Sequence, residues 1–144
     1  MTSGAILTEP DERGWPPVLW YAASAMRWAG LEVHDRSDPV PDVVVAVGDR
    51  CREACDRPGM FIAPDLADPA VVRGFADNAG PILLVGSLGF PGWSQAEAAR
   101  IRHAEVLQLT SVDRRLEIPG DVLGSVALTA RVMERLLALL GRLP

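Results

Sequence analysis

The chain has 144 residues, of which 49% are hydrophobic and 23% charged, so it carries too much apolar mass for a disordered or collagen-like chain. At this length one fold buries roughly two-thirds of its unfolded surface, which makes residues 1–144 a single α/β-sized domain by expectation. All 14 basic residues are Arg, which removes every lysine-dependent chemistry, and the net charge of −5 weighs against nucleic acid as a partner.

In chain order, Ala5-Ile6-Leu7-Thr8 reads as a short strand. A helix follows from about Pro17 to Ala29, stopped by Gly30. Leu31 to His34 is a second strand. Val43 to Val47 is a continuous β-branched run, the pattern of a central strand buried on both faces. Asp49 to Asp56 fits a short helix ended by Pro58-Gly59, and Met60 to Ala63 is the next strand. Asp68 and Pro69 form an N-cap and first-turn pair, opening a helix that closes at Gly80. Pro81 to Val85 is another buried strand. Ser94 and Glu97 have capping-box spacing and open a helix to about His103. Glu105 to Thr110 is the last strand, and a final helix spans about Asp121 to Leu143.

Strands alternating with helices predict a three-layer α/β sandwich. Its sheet is mostly parallel, Rossmann-like or flavodoxin-like, with helices on both faces. One link departs from the pattern. Only eight residues, including Pro39 and Pro41, separate His34 from Val43. A parallel crossover usually takes a dozen or more. Either a helix is missing, or the second strand is antiparallel, or the segment is not a strand.

Met1 to Gly14 is polar and acidic, unlike a secretory leader, and no apolar run reaches the ~18 residues of a membrane span. The expectation is a cytoplasmic protein without a membrane partner. Cys51 and Cys55 would then be free thiols, and two thiols far from either histidine do not make a metal site.

Two helices carry information. On the first, Leu19, Ala22, Ala23, Met26 and Ala29 form a smooth apolar face suited to a sheet. The opposite face holds Trp20, Tyr21, Ser24, Arg27 and Trp28, and aromatics with Arg are the usual anchors of protein interfaces. On the last helix an apolar arc that includes Leu128, Val132, Leu136 and Leu139 is wider than one sheet contact needs. First and last helices share a side in flavodoxin-like folds. The arc therefore covers the Trp face, or Trp20, Trp28, Leu128, Val132 and Leu139 belong to a homodimer or partner surface.

Ligands of open α/β sheets bind beyond the carboxyl ends of the strands, at a topological switch point. The loops there offer Glu9, Asp11 and Glu12 after the first strand and Asp49 after the third. Gly86, Ser87 and Gly89 follow the strand at Val85, where backbone N–H groups could approach an anion or nucleotide-type ligand. Neither a P-loop nor G-x-G-x-x-G is present, so no cofactor is named. Cys51 to Arg57 has the C-x5-R spacing of thiol phosphatases, but its interior lacks Gly and carries two acids. Thr110, Ser111 and Asp113 have no G-x-S-x-G elbow beside them.

The order of strand, acids (Glu9, Asp11, Glu12), helix, "GLEV" and Pro41-Asp42-Val43-Val44-Val45 resembles the first half of a response-regulator receiver domain. Val47 stands where that family has its phosphoacceptor Asp, Ala63 where it has a hydroxyl residue, and the Lys is absent. The resemblance implies a degenerate, non-phosphorylated pseudo-receiver. Glu9 to Gly14 with its helix is also similar to cobalamin-binding domains, with Asp11 in place of the cobalt-ligating His. Gly86-Ser87-Leu88-Gly89 and Leu123-Gly124-Ser125-Val126 are similar to pieces of universal-stress nucleotide-binding domains. The expected function is a non-catalytic regulatory or accessory domain acting through protein contacts. The alternative is a small enzyme or ligand-binding protein with an anionic or nucleotide-type ligand at the strand ends.

Overall fold

The structure is a computed structural model that describes residues 3–9, 14, 15, 17–86, 101, 104–108 and 126–143. Six parallel strands form one sheet: β1 (Ser3–Leu7), β2 (Glu32–His34), β3 (Val43–Val47), β4 (Gly59–Ile62), β5 (Ile82–Gly86) and β6 (Ala104–Gln108). Their order is β2-β1-β3-β4-β5-β6, the flavodoxin-like order carried one strand further. Three α-helices are described, α1 (Pro17–Trp28), α2 (Pro69–Asp77) and α3 (Val126–Gly141), with a 3-10 helix at Gly48–Glu53.

Side chains on a strand alternate between faces, so β3 shows why its sequence is apolar throughout. Val43 and Val45 join the core beneath α1 and α3, with Ile6, Met60, Leu83 and Val85. Val44 and Ala46 join the opposite core beneath α2 and the 3-10 helix, with Leu7, Leu66 and Leu84. There Phe61 and Phe75 meet edge to face at 4.7 Å. Both layers are apolar and buried, which is what excludes polar residues from β3, β4 and β5.

The link after β2 resolves as a parallel strand followed by a crossover without a helix. Eight residues extended at ~3.3 Å each reach about 26 Å, more than the length of a five-residue strand, so the chain returns to the start of β3 directly. Hydrogen bonds near both of its ends fasten this stretch. Ser37 Oγ donates to Glu53 at 3.0 Å, and the Asp42 carboxylate accepts from the Ser3 N–H at 3.0 Å.

α2 begins as expected. The Asp68 carboxylate accepts from the Ala70 N–H at 2.9 Å, and Pro69 occupies the first turn. The helix ends at Asp77, three residues before Gly80, because buried Asn78 turns the chain out of it. The short helix predicted over Asp49–Asp56 is the tighter 3-10 helix, started by Gly48 at a φ of 59°.

α3 lies beside α1 on one face of the sheet. Val132, Leu136 and Leu139 are buried in that core. This corrects the assignment of Val132 and Leu139 to a partner surface: the helix turns them toward the sheet. Leu128's side chain lies outside the described residues, as do the predicted helix from Ser94 to His103 and the start of the last helix before Val126. On its far flank, α3 is held to β6 by Arg135 and Arg142, both of which donate to the Glu105 carboxylate. No helix among the described residues is long and apolar enough to cross a membrane.

Candidate functional site

Two regions collect the residues singled out by sequence. The first is the carboxyl edge of the sheet. The chain leaves β1 to one side for β2 and returns on the other for β3, so the switch point lies between β1 and β3. Glu9 is exposed two residues past β1, and Asp49 is exposed in the first turn after β3. Gly86 ends β5 on the same edge, two strands from β3. Asp11, Ser87, Gly89, Thr110, Ser111 and Asp113 lie outside the described residues.

Sequence reasoning missed the residue that organises this edge. The Arg50 guanidinium crosses the switch point and donates to the Thr8 carbonyl at 3.0 Å. Its Nε and remaining nitrogen engage the Glu53 carboxylate, which also accepts from Ser37. Three segments, after β1, after β2 and after β3, are thus tied by one ion pair. Nothing local marks Arg50 for this task, since Thr8 and Ser37 are distant in sequence. Each nitrogen of the fork has an internal partner, so Arg50 locks the loops together.

Arg50's hydrogen bond, with help from Ser37, holds the Glu53 carboxyl below its ordinary range. A depressed carboxylate contributes stability above its unfolded pKa and loses that contribution as pH falls through the folded value. The wild type should therefore lose more melting temperature than Glu53→Gln between about pH 6 and pH 3. The pair is partly exposed and screened by solvent, so the difference should be about 2 °C by scanning calorimetry. Equal losses would remove the ion pair from the account of this edge.

The thiols do not supply a nucleophile. Cys51 and Cys55 are free and buried beneath the sheet, and burial pushes both thiols up. Phosphatase chemistry needs the opposite shift. Arg52, inside the C-x5-R stretch, is paired with Asp68 at 2.8 Å. No group of three or more His, Cys, Asp or Glu side chains among the described residues is placed to hold a metal ion.

The second region is the outer face of α1. Leu19, Ala22, Ala23 and Met26 are buried as expected, whereas Ala29, just past the end of the helix, is exposed. Trp20, Tyr21 and Trp28 are 55%, 57% and 89% exposed, and Leu137 of α3 is 52% exposed. Trp15 and Trp20 meet at 4.9 Å between ring centroids, which shields only part of Trp20. The apolar arc of α3 is used differently from the expectation that it covers the Trp face. Its centre faces the sheet, and its flank, Met133 and Leu140, packs against the shared core. What is left between the two helices is an open groove of about 390 Å³ lined by Ala25, Trp28, Ala29, Leu137, Leu140 and Gly141.

Compared with known proteins, the chain matches no family model, no curated protein and no solved structure.

Proposed function

We propose that this chain is a non-catalytic regulatory or accessory domain that acts through protein contacts on the outer face of α1 and the adjoining edge of α3. The supporting observation is Trp28, an indole 89% exposed beside an apolar groove, with Trp20 and Tyr21 on the same helix more than half exposed. Large aromatics left in water are costly on a monomer's surface and are the anchors of protein interfaces. The Arg50–Glu53 lock and the buried thiols favour the same conclusion, because these groups are engaged in holding the fold together.

At the family level the proposal is a degenerate receiver-like domain. Val47 closes β3 where the phosphoacceptor would stand, and Ala63 follows β4 where the hydroxyl would stand. The deciding variant is Trp20→Ala/Trp28→Ala. If these side chains serve contacts, it should melt within about 3 °C of wild type, the range of ordinary surface substitutions. A fall of about 10 °C or more would place them in the core and end the contact proposal.

A second proposal, a small-molecule site at the switch point, is supported by Glu9, Asp49 and Gly86 sharing one edge. A thermal-shift screen with nucleotides, flavins, sugar phosphates and acyl-CoAs tests it. Stabilisation by one class at saturation supports it, and none across all four counts against it.

A further inference from the structure

Resting on the protein-contact proposal, we infer that the occupant of the α1–α3 face is a second copy of this chain, in a two-fold dimer that lays α1 of one copy over α3 of the other. Three observations carry the choice.

The first is shape. A two-fold interface uses one patch twice, so the patch must contain both a projection and its receptacle. This face does: the Trp28 indole stands almost free in solvent at the lip of the groove formed with Ala25, Ala29, Leu137, Leu140 and Gly141. Each copy's indole can enter the other's groove.

The second is charge. Arg27 on α1 and Glu134 on α3 are exposed, and neither has an ion-pair partner among the described residues. They carry opposite signs, one on each helix. In the inferred dimer each Arg27 pairs with the other copy's Glu134, and the symmetry makes the pairing twice. Of the other charges of α3 and its end, Arg135 and Arg142 are already committed to Glu105, and Arg131 is engaged as well.

The third is area. An aromatic side chain buries about 150–250 Å². At their observed exposures Trp20, Tyr21 and Trp28 together carry roughly 400 Å² per copy, half of the ~800 Å² that a standard interface takes from each partner. Leu137 and the groove walls add to this on the same strip.

The test is sedimentation of the full chain from about 1 µM to about 200 µM, the range in which moderate dimers dissociate. The wild type should form dimers, and Trp28→Ala should raise the dissociation constant at least tenfold, about 1.4 kcal/mol. Arg27→Glu and Glu134→Arg should each weaken the dimer alone. The double reversal should restore it, and so should an equimolar mixture of the two single variants, because each copy then offers what the other lacks. Rescue in the mixture cannot come from a contact inside one chain.

A wild type that is monomeric throughout overturns the inference, whatever else covers the face. So does a dimer whose constant is unmoved by Trp28→Ala and by both reversals. Melting temperatures separate the two levels. A monomer whose Trp28→Ala variant melts like wild type loses self-association but keeps the contact proposal. An early melt removes both.

Discussion

Gly59→Ala is expected to leave little folded protein, or to lower the melting temperature by more than about 12 °C. Gly59 opens β4, opposite Val44 of β3 on one side and Ile82 of β5 on the other. A Cβ at this position would lie 1.8 Å from the Val44 carbonyl oxygen, 2.8 Å from its carbon and 2.9 Å from its nitrogen. The obstacle is backbone, not the tip of a mobile side chain, so no rotamer change relieves it. That backbone is engaged as well. The Val44 N–H donates to the Pro58 carbonyl at 3.0 Å, and the Gly59 N–H donates to the Pro81 carbonyl at 3.1 Å. To admit one methyl group the two central strands must part, and the paired ladder on both sides of β4 goes with them. Losses above about 4 kcal/mol come from a short set of causes, and overpacking against fixed core backbone is one of them. Circular dichroism melts decide the point. A variant within about 3 °C of wild type would show that β3 and β4 are not this close at their start.

The parts of the fold that could be read in the sequence are those written locally. Val43–Val47 was bounded correctly because an unbroken β-branched run has one meaning when both faces are covered. Asp68-Pro69 marked the start of α2 because a cap acts on backbone N–H groups one turn away. The helix-less link before β3 was visible as a residue count, and the structure chose among its three explanations through the reach of an extended chain.

What the sequence hid depends on partners far along the chain. Arg50 has no local signature, because its meaning comes from Thr8, Ser37 and Glu53 converging at the switch point. Periodicity correctly gave α3 a wide apolar arc, but a helical wheel cannot say which part faces the sheet and which the neighbouring helix. The wheel therefore leaves Val132 and Leu139 open to either a surface or an internal role, and the structure buries both while Leu137, between them, is exposed. Ala63, just after β4, adopts a φ of 50°. Alanine gives no sequence warning of a left-handed conformation, which Gly or Asn would have signalled.

Asn78→Ala should cost about 3 kcal/mol, roughly 10 °C in melting temperature. Asn78 is one of two buried polar residues among the described ones, and both ends of its side-chain amide are engaged. Its Nδ2 donates to the Cys55 carbonyl at 3.1 Å and to the Arg57 carbonyl at 2.6 Å. Its Oδ1 accepts from the Gly80 N–H at 3.0 Å. One amide thus joins the loop before β4 to the turn between α2 and β5. Alanine leaves two carbonyls and an N–H behind without that partner, and each unmet buried group costs about 1–3 kcal/mol. Asn78→Asp sharpens the test. Its Oδ1 can still accept from Gly80, but the second oxygen would face two carbonyl oxygens and repel both. A carboxyl buried against acceptors has its folded pKa raised, so the variant is least stable when ionised and recovers as pH falls and the acid gains a proton to donate. The wild type carries no such group at this position. A melting temperature for Asn78→Asp that fell with pH in parallel with the wild type's would show that the amide's two donated bonds do not hold this junction together.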